Sequence, residues 1–305
     1  MQSYYIDETF PRSPRSWVGR DAFVCDRIVW KRPSAMVRQP EFVVDGAKRH
    51  DLDQGALGNC WFISAAAALA THHPDRFKKV VPLGQTFNSP QYTGMFVFNF
   101  CSKGIWKQVY IDDFIPTDAS EMEPKYCRNT ERSNEFWPCL LEKAYAKLHG
   151  SYEALNGGHI VDALVELTGG LPEKINLRGH TRGSPQLFEK LSSCYQMRAV
   201  MGAAIYSGDQ NRNRLLNGLI SGHAYSITGL HSMQAGGRDV SLVRLRNPWG
   251  RGEWKGAWSD RSKEMNALPK VVQQTLRFHI KDDGEFWMEF NDFITMFDEI
   301  HICHL

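Results

Sequence analysis

Apolar and polar positions alternate along this chain in stretches that change period several times. From Cys60 to Ala70 the residues are apolar almost without a break, which predicts a buried helix over 60–72, closed by His72-His73-Pro74. Met95–Phe100 and Ile105–Ile111 are aromatic and β-branched, and Ser102-Lys103-Gly104 between them predicts a hairpin. Leu141, Ala144, Tyr145 and Leu148 recur at helical spacing within Phe136–His149, with Gly150 as the stop. Short helices are predicted at Val161–Thr168 and Pro185–Tyr195, and a closing helical turn at Phe293–Phe297. Ala199–Ile205, His223–Leu230 and Val240–Asn247 read as strands, and Phe278–Ile280 and Phe286–Phe290 flank an acidic turn. Residues 1–50 are punctuated by Pro11, Pro14, Pro33 and Pro40 and predict an irregular arm with short strands at most. The pattern therefore predicts an α+β fold in two parts. Helices dominate 1–158 and an antiparallel sheet dominates 159–305, with Asn156-Gly157-Gly158 at the boundary.

Composition adds mainly exclusions. The chain has 305 residues, 42% hydrophobic and 23% charged, enough for two cores and neither disordered nor low in complexity. A net charge of +2 gives no reason to expect nucleic acid or an anionic membrane as a partner. The longest apolar run falls short of the ~18 residues of a membrane helix. Seven cysteines, with no C-x-x-C pair, argue against a disulfide framework or a zinc site and fit a cytoplasmic setting.

Three stretches carry candidate chemistry. Gln54-Gly-Ala-Leu-Gly-Asn-Cys60 is a glycine-punctuated loop ending on a cysteine at a helix N-terminus, where the helix dipole favours the thiolate. Cys60 is a candidate nucleophile and Gln54 a candidate donor to an oxyanion; a buried cysteine at a packed junction fits the same letters. Gly222-His223-Ala224 opens an apolar strand and offers a base. Asn247-Pro248-Trp249-Gly250 ends the next strand, where Asn247 can orient the imidazole and Trp249 can exclude water, although a plain strand-ending turn reads the same way. The order Cys…His…Asn is more specific than any one stretch.

These stretches, with Asn134-Glu-Phe-Trp137, Leu140–Lys147, Gly150–Leu155, Gly256–Asp260 and Asp283–Met288, closely resemble the calpain family, from about Phe10 to the C-terminus. The resemblance implies a papain-like, two-lobed cysteine endopeptidase that makes limited cuts in protein substrates. It implies Cys60 as nucleophile, His223 as base and acid, Asn247 as orienter, and Gln54 with the Cys60 N–H as oxyanion hole. Gly158 and Gly222 would line the substrate backbone. It also implies two calcium ions outside any EF-hand. One would be held by the Val44 and Gly46 carbonyls with Asp51 and Glu135, the other by Glu253, Asp260, the Lys281 carbonyl, Asp283 and Glu285. From the residues alone these acids read as solvated surface. Arg49 matches a position that pairs with Glu285 once calcium aligns the lobes, and Trp249 one that blocks the cleft without it. The chain departs from the best-known members at Asn59, where they have Asp, and in a polar loop at 207–221, with Arg212 and Arg214, expected to gate the cleft. Downstream C2-like and penta-EF-hand domains, or a regulatory subunit, are implied partners absent from this sequence. A catalytically silent binding protein of the same family is the alternative; transglutaminase-type acyl transfer is a third class.

Overall fold

The computed structural model describes residues 4–18, 28–120, 123–179, 184–206 and 214–305. It is an α+β structure that divides into two compact units. The first comprises Met1–Asn59, His73–Gly158 and Glu166–Gly169; the second comprises Cys60–His72, His159–Val165 and Gly170–Leu305. By this division the chain changes unit at 59/60, 72/73, 158/159, 165/166 and 169/170. The 60–72 segment, expected with the helical first part, groups instead with the sheet-rich second unit.

In the first unit, strands Met95–Ser102 and Ile105–Asp112 form the expected hairpin. Its two-residue turn has Lys103 and Gly104 at φ 53° and 76°, the pair of left-handed residues that matches strand twist. Helix Trp137–His149 buries nearly every residue of its first three turns and stops at Gly150, whose φ of 99° ends it as a left-handed cap. Buried within this unit, Lys143 Nζ donates to the Phe114 carbonyl at 2.7 Å and pairs with the Asp112 carboxylate. Strand Ile28–Lys31, in the arm expected to be irregular, pairs antiparallel with Ile115–Asp118.

The second unit is built on a six-stranded antiparallel sheet. In spatial order its strands are Leu171–Asn176, Glu299–His304, Val200–Ile205, His223–Ala235, Arg238–Arg246 and Glu285–Glu289. Alternate residues Met201, Ala203, Tyr225, Ile227, Val243 and Leu245 join one core with Phe188, Phe290 and Phe293. Helix Cys60–His72 packs on strands Val200–Ile205 and His223–Ala235. Small residues permit that approach: Ala65 to Ala68 on the helix, Ala204 and Ala224 on the strands, all buried. Ser64 Oγ donates to the Ala224 carbonyl (3.1 Å) and Ser226 Oγ to the Ser64 carbonyl (2.9 Å), locking helix and strand in register.

Two strands lie outside the sequence expectation. Leu171–Asn176 is an exposed edge carrying Pro172, Glu173 and Lys174, so no apolar alternation marks it. Glu299–His304, which pairs on both sides and is buried there, comes after the closing helical turn expected at Phe293–Phe297 and found as helix Phe290–Met296. Phe278–Ile280, before the acidic turn, is irregular; Phe278 packs on a small core around Trp258, Met265 and Trp287 after helix Lys270–Thr275. Among the described residues, no helix is long and apolar enough to cross a membrane.

Candidate active site

Cys60 is the first residue of its helix and is buried. The loop before it is fixed by backbone and side chains of the first unit. Gly55 has no alternative, since a Cβ there would lie 2.2 Å from the Tyr126 carbonyl oxygen. Gly58 N–H donates to Asn156 Oδ1 (2.8 Å), and Gly157 N–H to the Gly58 carbonyl (3.0 Å). Asn59, immediately before the cysteine, donates through Nδ2 to Glu142 Oε1 (2.6 Å), and the other Glu142 oxygen accepts from Cys127 N–H (2.9 Å). Burial pushes the Glu142 carboxyl up to about 7. Gln54 Nε2 donates to the Leu57 carbonyl (2.5 Å), so one of its two amide protons is used inside the loop. The six described cysteines are all buried and none forms a disulfide among the described residues.

His223 opens its strand directly after Gly222, whose φ of 66° turns the chain into the sheet. The next strand pairs with Ser226 opposite Arg246, so Asn247 emerges beside the His223 end. His223 Nε2 and Asn247 Oδ1 are 2.9 Å apart, both side chains buried. The direction of this bond follows from the rest of the Asn247 amide. Oδ1 accepts the Trp249 backbone N–H at 3.0 Å, and Nδ2 donates to the Gly252 carbonyl at 3.0 Å. A backbone N–H only donates and a carbonyl only accepts, so the amide cannot be flipped. Oδ1 must therefore receive a proton from Nε2, which leaves Nδ1, also buried, as the basic nitrogen of the neutral ring.

The Trp249 ring lies 4.9 Å from the His223 ring, tilted by 54°. Tyr225 stands edge-on to His223 at 5.1 Å. Burial raises the Tyr225 hydroxyl pKa, and the nearby Cys60 adds to the rise. Tyr225 was not singled out in the sequence; it serves there as a core residue whose hydroxyl accepts Ile220 N–H (2.9 Å).

The acids expected to hold metal fall into two clusters, one in each unit. In the first, Asn129 Nδ2 bridges Asp51 Oδ1 (3.2 Å) and Glu135 Oε2 (2.7 Å), while Val44 N–H donates to Glu135 Oε1 (2.5 Å). Burial, with the Asp51 charge adding to it, pushes Glu135 up to about 7, and burial also raises Asp51. Asp45 and Gly46, at φ 56° and 84°, make the tight turn that carries the Val44 and Gly46 carbonyls. In the second cluster, Glu253 Oε1 accepts the N–H groups of Asp283 and Gly284 (both 3.1 Å), and Asp260 Oδ2 that of Lys281 (3.3 Å). Burial and the neighbouring acids push Glu253 up to about 8 and Asp260 up to about 6. Glu285 Oε1 lies 3.7 Å from Arg244 Nε. Carboxylates that raise one another in this way are what a hard cation relieves, and oxygen donors are the type calcium takes. No group of three or more His, Cys, Asp or Glu among the described residues converges into a ready-made metal cage. The donors fit calcium in kind.

Asparagine 129, which joins Asp51 to Glu135, was not anticipated: an Asn carries no metal or acid signature. Arg49 begins a short 3₁₀ turn, Arg49–Asp51, in the first unit. Of the loop expected to gate the cleft, residues 207–213, Arg212 included, lie outside the described residues.

A model of the family described as calpain family cysteine protease matches residues 5–304. Calpain-12 of Mus musculus is 43% identical over 305 residues, covering 99% of this chain and 41% of that protein. Calpain-9 of Rattus norvegicus is 42% identical over 307 residues, 99% of this chain and 43% of that protein. The calpain-1 catalytic subunit of Mus musculus is 40% identical over 307 residues, 99% and 42%. The chain thus spans about two fifths of the length of these relatives.

Proposed function

Because this chain belongs to the calpain family of cysteine proteases, we propose that it is an endopeptidase with Cys60 as nucleophile, His223 as base and acid and Asn247 as orienting group. The observation that supports the reading most is the Asn247 amide, held from two sides so that its oxygen receives the His223 Nε2 proton.

In the proposed cycle Nδ1 of His223 takes the proton of the Cys60 thiol. The thiolate attacks the carbonyl carbon of the scissile peptide, and the negative oxygen receives hydrogen bonds from the Cys60 backbone N–H and the Gln54 side-chain amide. The imidazolium, stabilised by Asn247, passes its proton to the departing amine and leaves a thioester on Cys60. Water, deprotonated by His223, hydrolyses the thioester and restores the thiol. Trp249 over the imidazole keeps bulk water from the His223–Asn247 bond. Gly158 and Gly222 offer the substrate backbone a surface without side chains.

The proposal includes calcium as the activating ion, through the lobe alignment and Arg49–Glu285 pairing that the family resemblance implies. Val44, Gly46, Asp51 and Glu135 would hold one ion, and Glu253, Asp260, Lys281, Asp283 and Glu285 another. Bound calcium supplies positive charge that offsets the clustered carboxylates. Protein substrates in the cytoplasm, and regulatory domains or a subunit beyond this chain, complete the reading.

The test is hydrolysis of an unstructured protein across a calcium titration, by wild type and Cys60→Ser. Cleavage that rises with calcium in the wild type and is absent in Cys60→Ser, which still binds calcium, is the expected result. A rate equal with and without chelator would remove calcium from the account. No cleavage by the wild type at any calcium level would favour the silent alternative.

A further inference from the structure

Helix Cys60–His72 and strands His223–Ala235 and Arg238–Arg246 carry or directly precede the three catalytic candidates, and they meet again around a cavity of about 420 Å³. The helix contributes Thr71 and His72 to it, the first strand Thr228 to His231, and the second strand Arg244. A helix of this length puts His72 roughly 18 Å from Cys60 along its axis, so the cavity is not the catalytic centre. We propose that it is a binding site for a phosphoryl group, taken up as free phosphate or on a phosphorylated side chain.

Charge is the first argument. Arg198, Arg244 and Arg277 line the cavity together with the imidazoles of His72 and His231, and no Asp or Glu lines it. With a net charge of only +2 over the whole chain, three arginines on one cavity do not reflect a generally basic surface. Guanidinium groups pair with tetrahedral oxyanions through two parallel N–H bonds. The volume lies within the range of small-ligand sites and leaves room for the side chain that would carry the phosphate.

Backbone conformation is the second. Arg198 and Arg277 each stand one residue beyond the cap of a helix, after Pro185–Gln196 and Lys270–Thr275, at φ 63° and 51°. Glycine is the unstrained residue at such a left-handed position, and a side chain there strains the backbone. Two separate helices thus end on an arginine in a glycine conformation, and both arginines line this one cavity. Arg198 Nη2 donates to the His72 carbonyl (2.7 Å), which is also what a cation at a helix C-terminus does. That role accounts for Arg198 but not for Arg277 or Arg244. The third arginine is buried and pre-ordered: Arg244 Nε donates to Thr228 Oγ1 and Nη2 to the Thr228 carbonyl, both at 3.1 Å, with Glu285 at 3.7 Å offsetting part of its charge. An oxyanion across these groups ties together the three elements that position Cys60, His223 and Asn247.

The test uses the full chain in chelator-containing buffer, at ionic strength fixed with sodium chloride. Inorganic phosphate and O-phosphoserine are titrated by calorimetry, with thermal unfolding alongside. The informative variant is the double substitution Arg198→Gly/Arg277→Gly, because glycine relieves the backbone at both positions and folding is not at risk. Wild type should bind at least one of the two ligands at a single site with Kd below about 1 mM. The double variant should bind at least tenfold more weakly, with an unliganded thermal midpoint equal to or above that of the wild type. Tighter binding of phosphoserine assigns the site to phosphorylated side chains; binding of phosphate alone assigns it to the free ion. Absence of saturable binding by both ligands, or equal binding by wild type and double variant, overturns the proposal. The measurement makes no use of peptide cleavage, so it stands apart from the proposed protease reading.

Discussion

Replacing Asn247 with alanine removes one amide that makes three contacts at once, two of them fully buried. The Trp249 N–H loses its acceptor, the Gly252 carbonyl its donor, and His223 Nε2 its partner. The first two losses bear on folding: a buried polar group left without a partner costs about 1–3 kcal/mol, so a destabilisation of at least roughly 2 kcal/mol is expected. The third bears on the reaction. In the transition state the imidazole is cationic, and a hydrogen bond to a charged group is worth about 1.5–3 kcal/mol. At 1.36 kcal/mol per decade, kcat/KM should fall about 10- to 150-fold. Most of the fall belongs in kcat, because the amide touches the base and not the substrate. The assay is steady-state cleavage of a fluorogenic peptide in calcium, at a temperature where circular dichroism shows the variant fully folded. A variant that stays folded and keeps kcat/KM within a factor of about two would refute the orienting role.

Other consequences follow from the same contacts. Lys143→Met leaves the buried Asp112 carboxylate without its cation and should cost about 3–5 kcal/mol in denaturant unfolding; a loss under about 1 kcal/mol would contradict the pairing. Glu142 stays protonated in the folded protein up to about 7, whereas an unfolded glutamate ionises from 4.5. Between those values the folded state binds the extra proton, so this group stabilises below pH 4.5 and its contribution is lost as pH rises through 7. Relative to Glu142→Gln, wild-type stability should fall by up to roughly 3 kcal/mol across that window; a pH-independent difference would contradict it. Glu253→Gln keeps an oxygen for the Asp283 and Gly284 N–H groups but removes a charge from the second acid cluster. It should raise the calcium concentration for half-maximal cleavage several-fold while leaving the rate at saturating calcium near wild type; an unchanged midpoint would dissociate Glu253 from calcium.

What the sequence disclosed follows the range of the interactions. The Cys60 helix and the Lys103-Gly104 turn are set by adjacent residues, and both lie where the local pattern puts them. His223 and Asn247 are 24 residues apart, yet two neighbouring strands and a turn motif were enough to suggest their pairing. The Asn59–Glu142 bond spans 83 residues, and nothing local to Leu140–Lys147 marks the glutamate as supporting the loop before Cys60. The edge strand Leu171–Asn176 was hidden because an exposed edge needs no apolar alternation. In the sequence His72 and His73 only mark the end of a helix. The structure buries His73 and sets His72 Nε2 3.0 Å from the Ile227 carbonyl, a contact made by the packing of helix on strand. The arginines at 198, 244 and 277 have no common motif, and only the fold brings them to one cavity.

The central claim is that one thiol among seven cysteines is activated for attack on a peptide carbonyl. It is tested most directly by treating the protein, in calcium, with a peptide epoxide that alkylates activated thiols, and locating the adduct by mass spectrometry. The account predicts a single adduct on Cys60, formed far more slowly in Asn247→Ala and absent from Cys60→Ser. An unmodified Cys60, or labelling spread over the other cysteines at comparable rates, would contradict it.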